Sequence, residues 1–389
     1  MISIILVSFF TICSGHRQPD SKRNAVVTLV TGVNSGYSAG AVALGQSIIS
    51  VGSKLARVAM VTPEVDEGAR RQMSLVWEVV EVEPVRCNHK LHPSITPDKY
   101  DLQGANYQAG LKRWSITCTK FAAWNLSRFE RVIFMDSDTL VVGPIDDALY
   151  EFSNASFLAA PEAFPPDNFN SGFMVLNPSK EAYENLLEIN ERVGSAEGGD
   201  QGVFNNGLCP NWFFAAPDDK NCGRLPWIFN VEAANFGEYN TLRQMSGLRV
   251  PSVIHFVSDG KPWKVLALDY MGQIHPETKK QLHKQAYAHL LWRKFYFHAS
   301  KENPPATSVF DELTKPMEQH QHRLGQENQK QQEKIQSVND DRKVDRKRKA
   351  GKKGKKGPKK GKGNAKAKKI STPEKKKSAK RTSRSRHEL

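Results

Sequence analysis

Stretches of β-branched and apolar residues alternate with helical stretches along the first part of the chain. Ala25 to Thr31 and Leu55 to Thr62 have the composition of buried strands, and each precedes a helical segment, Ala41 to Val51 and Val65 to Val76. Val79 to Val85 predicts a third strand. Strands that alternate with helices are typical of an α/β fold with a mainly parallel sheet. No window holds the roughly 18 apolar residues of a membrane span, so a polytopic membrane protein is excluded.

The alternation continues through the middle of the chain. It predicts a helix from Leu111 to Leu126, strands at Arg131 to Met135, Ser156 to Ala160 and Gly172 to Leu176, and a helix from Lys180 to Glu191. Irregular sequence follows to about Lys264, and a basic amphipathic helix from Pro276 to Phe297 closes the globular part. The pattern therefore predicts one α/β domain over residues 24–300.

Two carboxylates follow the most apolar strand of this region without a spacer. Asp136 and Asp138 come directly after Arg131 to Met135. Ligands of an open α/β sheet bind at the carboxyl ends of its strands, so we expect both acids to lie at a site. Oxygen ligands favour Mg²⁺ or Mn²⁺, which in turn bind phosphates. The pattern indicates a metal and phosphate site, and solvated turn acids are the alternative interpretation.

Both ends of the chain differ from the predicted domain. Residues 1–15 form an apolar run with small residues before a polar cluster, as in a signal peptide. Residues 301–341 are polar and predict a linker with an exposed helix. The final residues, Arg386 to Leu389, resemble the tetrapeptide that returns proteins to the endoplasmic reticulum. Together the ends predict the lumen of the endoplasmic reticulum, within the secretory pathway.

The positive charge of the chain lies in its carboxyl-terminal tail. Residues 342–389 contain 23 Lys and Arg against three Asp and Glu, whereas the whole chain has 56 against 41. Such a Lys-rich segment cannot bury a core, so the tail is predicted to be disordered and to bind polyanions by charge alone. It lacks aromatic residues for base stacking, so no specific nucleic-acid binding is expected.

Four cysteines remain once the predicted signal peptide is removed. They are Cys87, Cys118, Cys209 and Cys222, an even number that suits disulfides in an oxidising lumen. Cys209 and Cys222 flank a loop-like stretch and are the preferred pair, although all three connectivities stay open. The sequence has no Cys-x-x-Cys or Cys/His cluster that would indicate zinc.

Seven segments carry a resemblance to a known family. They are VTLVTGVNSGYSAGAVALGQSI, TCTKFAAW, RVIFMDSDTLVV, FNSGFMVLNPS, GGDQGVFNN, LPWIFN and HFVSDGKPW. In this order, over roughly Val26 to Phe297, the chain resembles the glycogenin-like glycosyltransferases of family 8. The resemblance implies a Rossmann-like GT-A fold with a mixed, mainly parallel sheet. It also implies transfer of a hexose, with glucose ranked first, from a UDP-sugar with retention of anomeric configuration and with the help of Mn²⁺.

The resemblance assigns the metal ligands position by position. They are Asp136, Asp138 and His255, and an imidazole beside two carboxylates suits Mn²⁺ better than Mg²⁺, which remains the alternative. Without the resemblance, His255 would be interpreted as a core histidine, because it follows the apolar Val253 and Ile254.

Matching residues are predicted to hold the UDP-sugar. They are Asn34, Tyr37, Lys120, Asp136, Ser137, Asn170, Ser171, Gly172, Gly260 and Lys261. Tyr37 matches a tyrosine that stacks on uracil, and Lys120 contacts the donor. Plainer roles stay open: packing for Tyr37, a solvated helix position for Lys120, and a turn before a strand for Asn170 to Gly172.

Three residues are predicted to be catalytic. Asp200 and Gln201 match residues near the anomeric carbon, and Asp200 either stabilises the oxocarbenium-like transition state or acts as a transient nucleophile. Lys261 would neutralise the diphosphate as UDP departs. Glu197 occupies a position at which the family has Asp.

The self-glucosylated tyrosine of the family has no counterpart at its matching position. Counting forward from Asn230 places it at Gly237, and counting back from His255 places it at Glu238, beside Tyr239. We therefore expect a glycan, protein or lipid acceptor, and a homodimer is compatible with the resemblance. There are two alternatives to a transferase that acts on a separate acceptor. One is a catalytically silent nucleotide-sugar-binding module whose tail docks to a polyanion, and the other is a self-glucosylating glycogenin.

Overall fold

A computed structural model describes residues 23–302, apart from 33–35, 92–104, 151, 153–154, 163–166, 248, 258–259 and 271–284. The predicted signal peptide, Asn34, the remainder of the polar linker and the Lys-rich tail lie outside the described residues.

The described residues show the predicted alternation of strands and helices, with shorter elements between them, and residues 276–284 of the predicted last helix lie outside the described ranges. The strands are β1 (Asn24–Val30), β2 (Ala56–Val61), β3 (Glu78–Glu81), β4 (Arg131–Met135), β5 (Thr139–Val141), β6 (Phe157–Pro161), β7 (Phe169–Leu176), β8 (Cys222–Arg224), β9 (Val231–Glu232) and β10 (Val253–His255). The helices are α1 (Tyr37–Ser50), α2 (Glu67–Met73), α3 (Ala105–Trp114), α4 (Lys180–Arg192), α5 (Asp200–Val203), α6 (Phe236–Ser246), α7 (Pro262–Tyr270) and α8 (Ala286–Ser300).

Seven strands form the main sheet in the order β3-β2-β1-β4-β7-β6-β8. β1 pairs in parallel with β2 and β4, and β2 with β3, while β7 runs antiparallel to β4 and β6. All residues of β1 and β4 are buried, as expected for central strands covered on both faces. Because β1 and β4 are parallel neighbours, their carboxyl ends lie side by side at the same end of the sheet. The chain continues from β1 toward α1 and from β4 into Asp136.

A smaller sheet lies beside this edge in the order β5-β10-β9. β5 begins directly after the Asp-x-Asp pattern, and β10 pairs with it in antiparallel register, so that His255 lies opposite Thr139. β9 pairs in parallel with β10. This small sheet brings His255 to the two carboxylates.

Helices cover both faces of the main sheet. Neighbouring residues of its strands point to opposite faces, and both sets are apolar, so each face packs against its own helices. Val26 and Ile133 belong to a core cluster that includes residues of α1 and α8. Val27 and Phe134 belong to a second cluster, which includes residues of α4 and of the 3₁₀ stretch Thr117–Asn125.

The predicted helix from Leu111 to Leu126 is wrong as one element, because α3 ends at Trp114 and a 3₁₀ stretch, Thr117–Asn125, follows. The hydroxyl of Thr117 donates to Trp114 O at 2.8 Å and accepts from the amide of Asp200 at 3.0 Å. This side chain thus competes with helical hydrogen bonding. The third strand also ends early, at Glu81, and further along the chain the amide of Val85 donates to Thr119 Oγ1.

Two disulfides join the four cysteines, Cys87 with Cys118 and Cys209 with Cys222. The preferred pair from the sequence is confirmed. Within the described ranges, none of the helices is long and apolar enough to cross a membrane.

Candidate active site

The two carboxylates lie on a tight turn at the carboxyl end of β4. The amide of Asp136 donates to Gly172 O at 3.0 Å, which extends the pairing of β4 with β7. Thr139 closes the turn, because its amide and its hydroxyl both donate to Asp136 O, at 3.0 and 2.6 Å. A fully buried strand thus ends in a turn that presents Asp136 and Asp138 where α/β sheets bind ligands.

Asp138 lies beside His255, although 117 positions separate them in the chain. His255 Nε2 is 3.2 Å from Asp138 Oδ1, and with Asp136 the two residues offer ligand atoms within 4.8 Å of one another. Asn230 orients the imidazole: its Nδ2 donates to Pro161 O at 3.0 Å, and its Oδ1 therefore accepts from His255 Nδ1 at 2.8 Å. Nε2 is left with the lone pair that a metal ligand needs.

Lys120 is buried beside Asp136. Its Nζ lies 2.8 Å from Asp136 Oδ1 and 2.9 Å from Asp200 Oδ2. The hydroxyl of Ser171 accepts a further hydrogen bond at 3.1 Å. Burial alone would lower the pKa of Lys120, but the charges of Asp136 and Asp200 outweigh it and raise the pKa. Lys120 is therefore a charged, buried group and does not occupy a solvated helix position.

Lys261 is equally buried and pairs with the other carboxylate. Its Nζ donates to Asp138 Oδ2 and to Phe256 O. It also lies 6.0 Å from the centre of the Tyr37 ring, which packs at 4.8 Å against Trp263. Burial, followed by the charge of Asp138, raises the pKa of Tyr37 to about 12. Tyr37 thus packs against Trp263 and also lines the cavity, at the start of the helix that follows the first strand.

Asn170 to Gly172 belong to β7 and do not form the turn that was the plainer interpretation. Asn170 Oδ1 accepts from the amide of Gly172 at 2.7 Å, and Asn170 Nδ2 donates to Glu162 Oε2 at 2.7 Å. A Cβ at Gly172 would lie 2.3 Å from His255 Cε1. Only glycine leaves room at this point for the imidazole.

Asp200 and Gln201 begin α5 and turn toward the same cavity. The side chain of Gln201 accepts from the amide of Ser171 at 3.2 Å and donates to Glu162 Oε2 at 3.1 Å. Burial, followed by the nearby charge of Glu162, raises the pKa of Glu232 behind this network. The carboxylate of Glu162 thus accepts hydrogen bonds from two amide side chains, those of Asn170 and Gln201.

These groups surround one cavity of about 360 Å³. The site residues predicted from the sequence that line it are Tyr37, Lys120, Asp136, Ser137, Asp138, Asn170, Ser171, Asp200, Gln201, His255 and Lys261. The lining also includes Arg113, Trp114, Thr117 and Glu197. Gly172 and Gly260 are described but do not line it, and Asn34 lies outside the described residues. The structure brings together residues from both sheets at one edge.

Sequence reasoning missed several residues that support this cavity. Asn230 and Trp263 lie in segments that the sequence analysis quoted, LPWIFN and HFVSDGKPW, but no role was assigned to them. Glu162 lies just beyond β6, outside all seven segments. Polar residues within or beside apolar stretches of sequence were the available signal for Asn230 and Glu162.

The family model of glycosyl transferase family 8 matches residues 28–267, which is more than half of the chain. The chain therefore belongs to glycosyltransferase family 8. Its α/β domain, with a mixed, mainly parallel sheet, has the GT-A fold expected from the resemblance.

Among individual relatives, the chain is similar to glycogenin-1 of Oryctolagus cuniculus, at 33% identity over 241 residues that cover 61% of this chain and 65% of that protein. It is 31% identical to glycogenin-2 of Homo sapiens over 273 residues, which cover 69% of this chain and 49% of that protein. The chain thus spans less than two thirds of the length of both relatives. A galactosyltransferase structure with donor and acceptor sugar analogues has a TM-score of 0.44 at 13% identity, covering 71% of this chain and 95% of that one.

Proposed function

We propose that this glycosyltransferase takes a hexose, glucose first, from a UDP-sugar with retention of configuration and with Mn²⁺ as cofactor. One observation carries the proposal: Asp136, Asp138 and His255 converge at a cavity with two buried lysines. Two carboxylates and an imidazole with a free Nε2 lone pair fit Mn²⁺, with Mg²⁺ as the alternative. When bound, such a cation would neutralise the diphosphate of the donor.

The two lysines suit the departure of UDP. Lys261 and Lys120 each place an ammonium group in the cavity, where removal from water strengthens their interaction with phosphate. Ser171 and Asn170 supply hydroxyl and amide groups for the sugar. Tyr37 lies at the end of the cavity formed by the first strand and is the group proposed to stack on uracil.

Asp200 is the residue proposed to act at the anomeric carbon. Its carboxylate is held by Lys120 at 2.9 Å and its amide by Thr117 at 3.0 Å. A fixed negative charge at this place would stabilise positive charge that develops on the sugar ring as UDP leaves. Gln201, held through Ser171 and Glu162, is proposed to orient the sugar.

The acceptor is proposed to be a separate glycan, protein or lipid. Tyr239, the tyrosine beside the matching positions, lies in α6, and its hydroxyl donates to Arg249 O at 3.0 Å. Its ring packs edge-on against Trp227. These contacts support a packing role for Tyr239 and favour a separate acceptor over self-glucosylation.

The lumen of the endoplasmic reticulum is the proposed location. The amino-terminal apolar run and the carboxyl-terminal Arg-His-Glu-Leu support it. The two disulfides add support, because oxidising compartments preserve such bonds. Polyanion binding by residues 342–389 and dimerisation stay predictions.

The test is UDP release by the full chain without its signal peptide, across a panel of UDP-sugars, with Mn²⁺, with Mg²⁺ and with EDTA. Turnover of one donor that EDTA abolishes and Mn²⁺ restores is the expected result. Intact mass spectrometry of the same samples detects self-glycosylation as a ladder of hexose units, and Tyr239→Phe would then remove the ladder. UDP binding without turnover of any donor, even with candidate acceptors added, would favour the silent binding module.

A further inference from the structure

A short stretch of chain connects two parts of the active site. Residues 85–90, here called the bridging segment, bond on one side to the stretch before Lys120. The amide of Val85 donates to Thr119 Oγ1 at 3.0 Å, and the amide of Cys87 donates to Ser115 O at 2.8 Å.

On its other side the bridging segment bonds to the turn before Asp200. The amide of Ser195 donates to Asn88 O at 2.8 Å, and the amide of Lys90 donates to Ser195 O at 3.0 Å. Ser195 Oγ in turn accepts from the amide of Gly199 at 3.2 Å, one residue before Asp200. The bridging segment therefore supports both partners of the Lys120–Asp200 ion pair.

The Cys87–Cys118 disulfide ties the centre of this segment to the stretch that carries Lys120. Cys118 is fully buried, 8% of Cys87 is exposed, and their Cα atoms are 5.1 Å apart. Cys118 precedes Lys120 by two residues. Asn190, itself 3% exposed, adds a buried amide that accepts from the amide of Asn88 and donates to Arg86 O, both at 2.9 Å.

The second disulfide has a different setting. Cys209 and Cys222 close a loop that leads to the edge strand β8, and no described residue between them lines the cavity. The two bonds therefore form a matched pair of cross-links in one domain. The amide of Cys209 donates to Phe204 O and the amide of Phe204 to Asp200 O, so the second disulfide adjoins the helix that Asp200 begins. Only the Cys87–Cys118 bond is joined both to the stretch that carries Lys120 and to the turn before Asp200.

We propose that the Cys87–Cys118 disulfide is a positioning element of the active site, which holds Lys120 against Asp200 so that sugar transfer proceeds. Its effect on transfer rests on the proposed function, whereas its effect on the ion pair does not. Without the cross-link, the bridging segment keeps only hydrogen bonds to the two stretches, and displacement of catalytic groups by about 1 Å costs on the order of 100-fold in rate.

The first experiment compares Cys87→Ser/Cys118→Ser with Cys209→Ser/Cys222→Ser in the full mature chain by hydrogen–deuterium exchange. Faster exchange over residues 115–122 and 195–200 is expected in the first variant only, with residues 131–135 unchanged in both. Unchanged exchange over 195–200 in the first variant, or equal acceleration there in both variants, overturns the proposal.

The second experiment is a double-mutant cycle on kcat, combining Cys87→Ser/Cys118→Ser with Lys120→Met. Removal of the disulfide alone should lower kcat by about 10- to 100-fold with little change in the KM for the donor. In the Lys120→Met background it should lower kcat by less than about threefold, because positioning then acts on an absent group. Equal losses in both backgrounds overturn the proposal in favour of a general effect on stability.

Reduction provides the same test if the serine variant fails to fold. Dithiothreitol transfers two electrons and two protons to the Cys87–Cys118 bond, which opens to two thiols, and becomes a cyclic disulfide itself. In Cys209→Ser/Cys222→Ser, faster exchange over 195–200 should follow the loss of this one bond measured by mass spectrometry, and reoxidation should reverse it. Exchange that is independent of the bond overturns the proposal, and this readout remains decisive even if no UDP-sugar is turned over.

Discussion

Two groups of residues that line the cavity differ in the balance of cationic and acidic side chains. The Lys120 wall, formed by Lys120, Asp136 and Asp200, has one cation against two acids. The Lys261 wall, formed by Lys261, Asp138 and His255, has a lysine and an imidazole against one acid. Two aspartates separated by a single residue in the sequence thus belong to different electrostatic environments.

The pKa values follow this difference. Burial raises the pKa of Asp136, and repulsion from Asp138 and Asp200 adds to the rise, although Lys120 opposes it. Burial would also raise the pKa of Asp138, but the charge of Lys261, which donates a hydrogen bond to this carboxylate, outweighs burial and holds the pKa well below its usual range. Negative charge therefore remains unmatched on the Lys120 wall, and a divalent cation held by Asp136 would neutralise it.

The largest expected effect is on the Lys261 wall, where Asp138→Asn removes a proposed metal ligand and the partner of Lys261. UDP-sugar turnover should fall at least about 100-fold, because the charge that develops on UDP would lose its organised surroundings. Asp147→Asn, at an exposed acid, is the matched control for steady-state kinetics. Full activity of Asp138→Asn would disprove the metal site.

The next largest effect is expected on the Lys120 wall. Lys120→Met leaves the half-buried Asp136 and the buried Asp200 without their cation, which should cost about 3 kcal/mol in the free energy of unfolding. Urea denaturation measures the loss, and added Mn²⁺ should restore part of it by binding to the uncompensated acids. Lys180→Met, at an exposed helix lysine, should change stability by less than about 0.5 kcal/mol. Equal stability of both variants would contradict the electrostatic contrast.

Asn230 provides a finer test of the Lys261 wall. Asn230→Leu removes the acceptor that orients His255, so the affinity for Mn²⁺ should fall about 10-fold while the fold is retained. Asn230→Asp keeps an acceptor oxygen for His255 Nδ1 and should bind Mn²⁺ more tightly than Asn230→Leu does. Calorimetric titration with Mn²⁺ decides, and identical affinities of the two variants would exclude an orienting role.

The smallest expected effect is at His289, behind the Lys261 wall. Burial, followed by the charge of Arg293, lowers its pKa from 6.5 to about 3, against a hydrogen bond with the backbone of Gly260. Between these values the unfolded chain binds the proton and the folded protein does not, so stability falls as the pH drops below about 6.5.

Linkage predicts a loss of about 1 kcal/mol from this group between about pH 7 and pH 5.5. His289→Gln has no proton to bind and should show a flatter pH dependence by about that amount. Urea titrations of both proteins at the two pH values measure the difference, and parallel curves would show that His289 does not contribute.

Much of the scaffold could be predicted from the sequence, because β1, β2 and β4 are buried on both faces and therefore need continuous apolar stretches. The strand Arg131 to Met135 was predicted at the bounds that the structure shows. Elements held by side-chain contacts were predicted less well. The stretch after Trp114 forms a 3₁₀ segment because Thr117 bonds to the distant Asp200 and Cys118 to Cys87.

The sequence by itself determined the family, the α/β scaffold and the Asp-x-Asp turn, since these depend on local hydrophobic pattern and on motifs whose residues adjoin one another. Only the tertiary structure decided which lysine neutralises which aspartate, which amide orients His255, and that Lys120 lies against Asp200. The physical reason is that charge, burial and hydrogen bonding act through space. His255 and Asp138 are 117 positions apart in the chain but 3.2 Å apart in the fold.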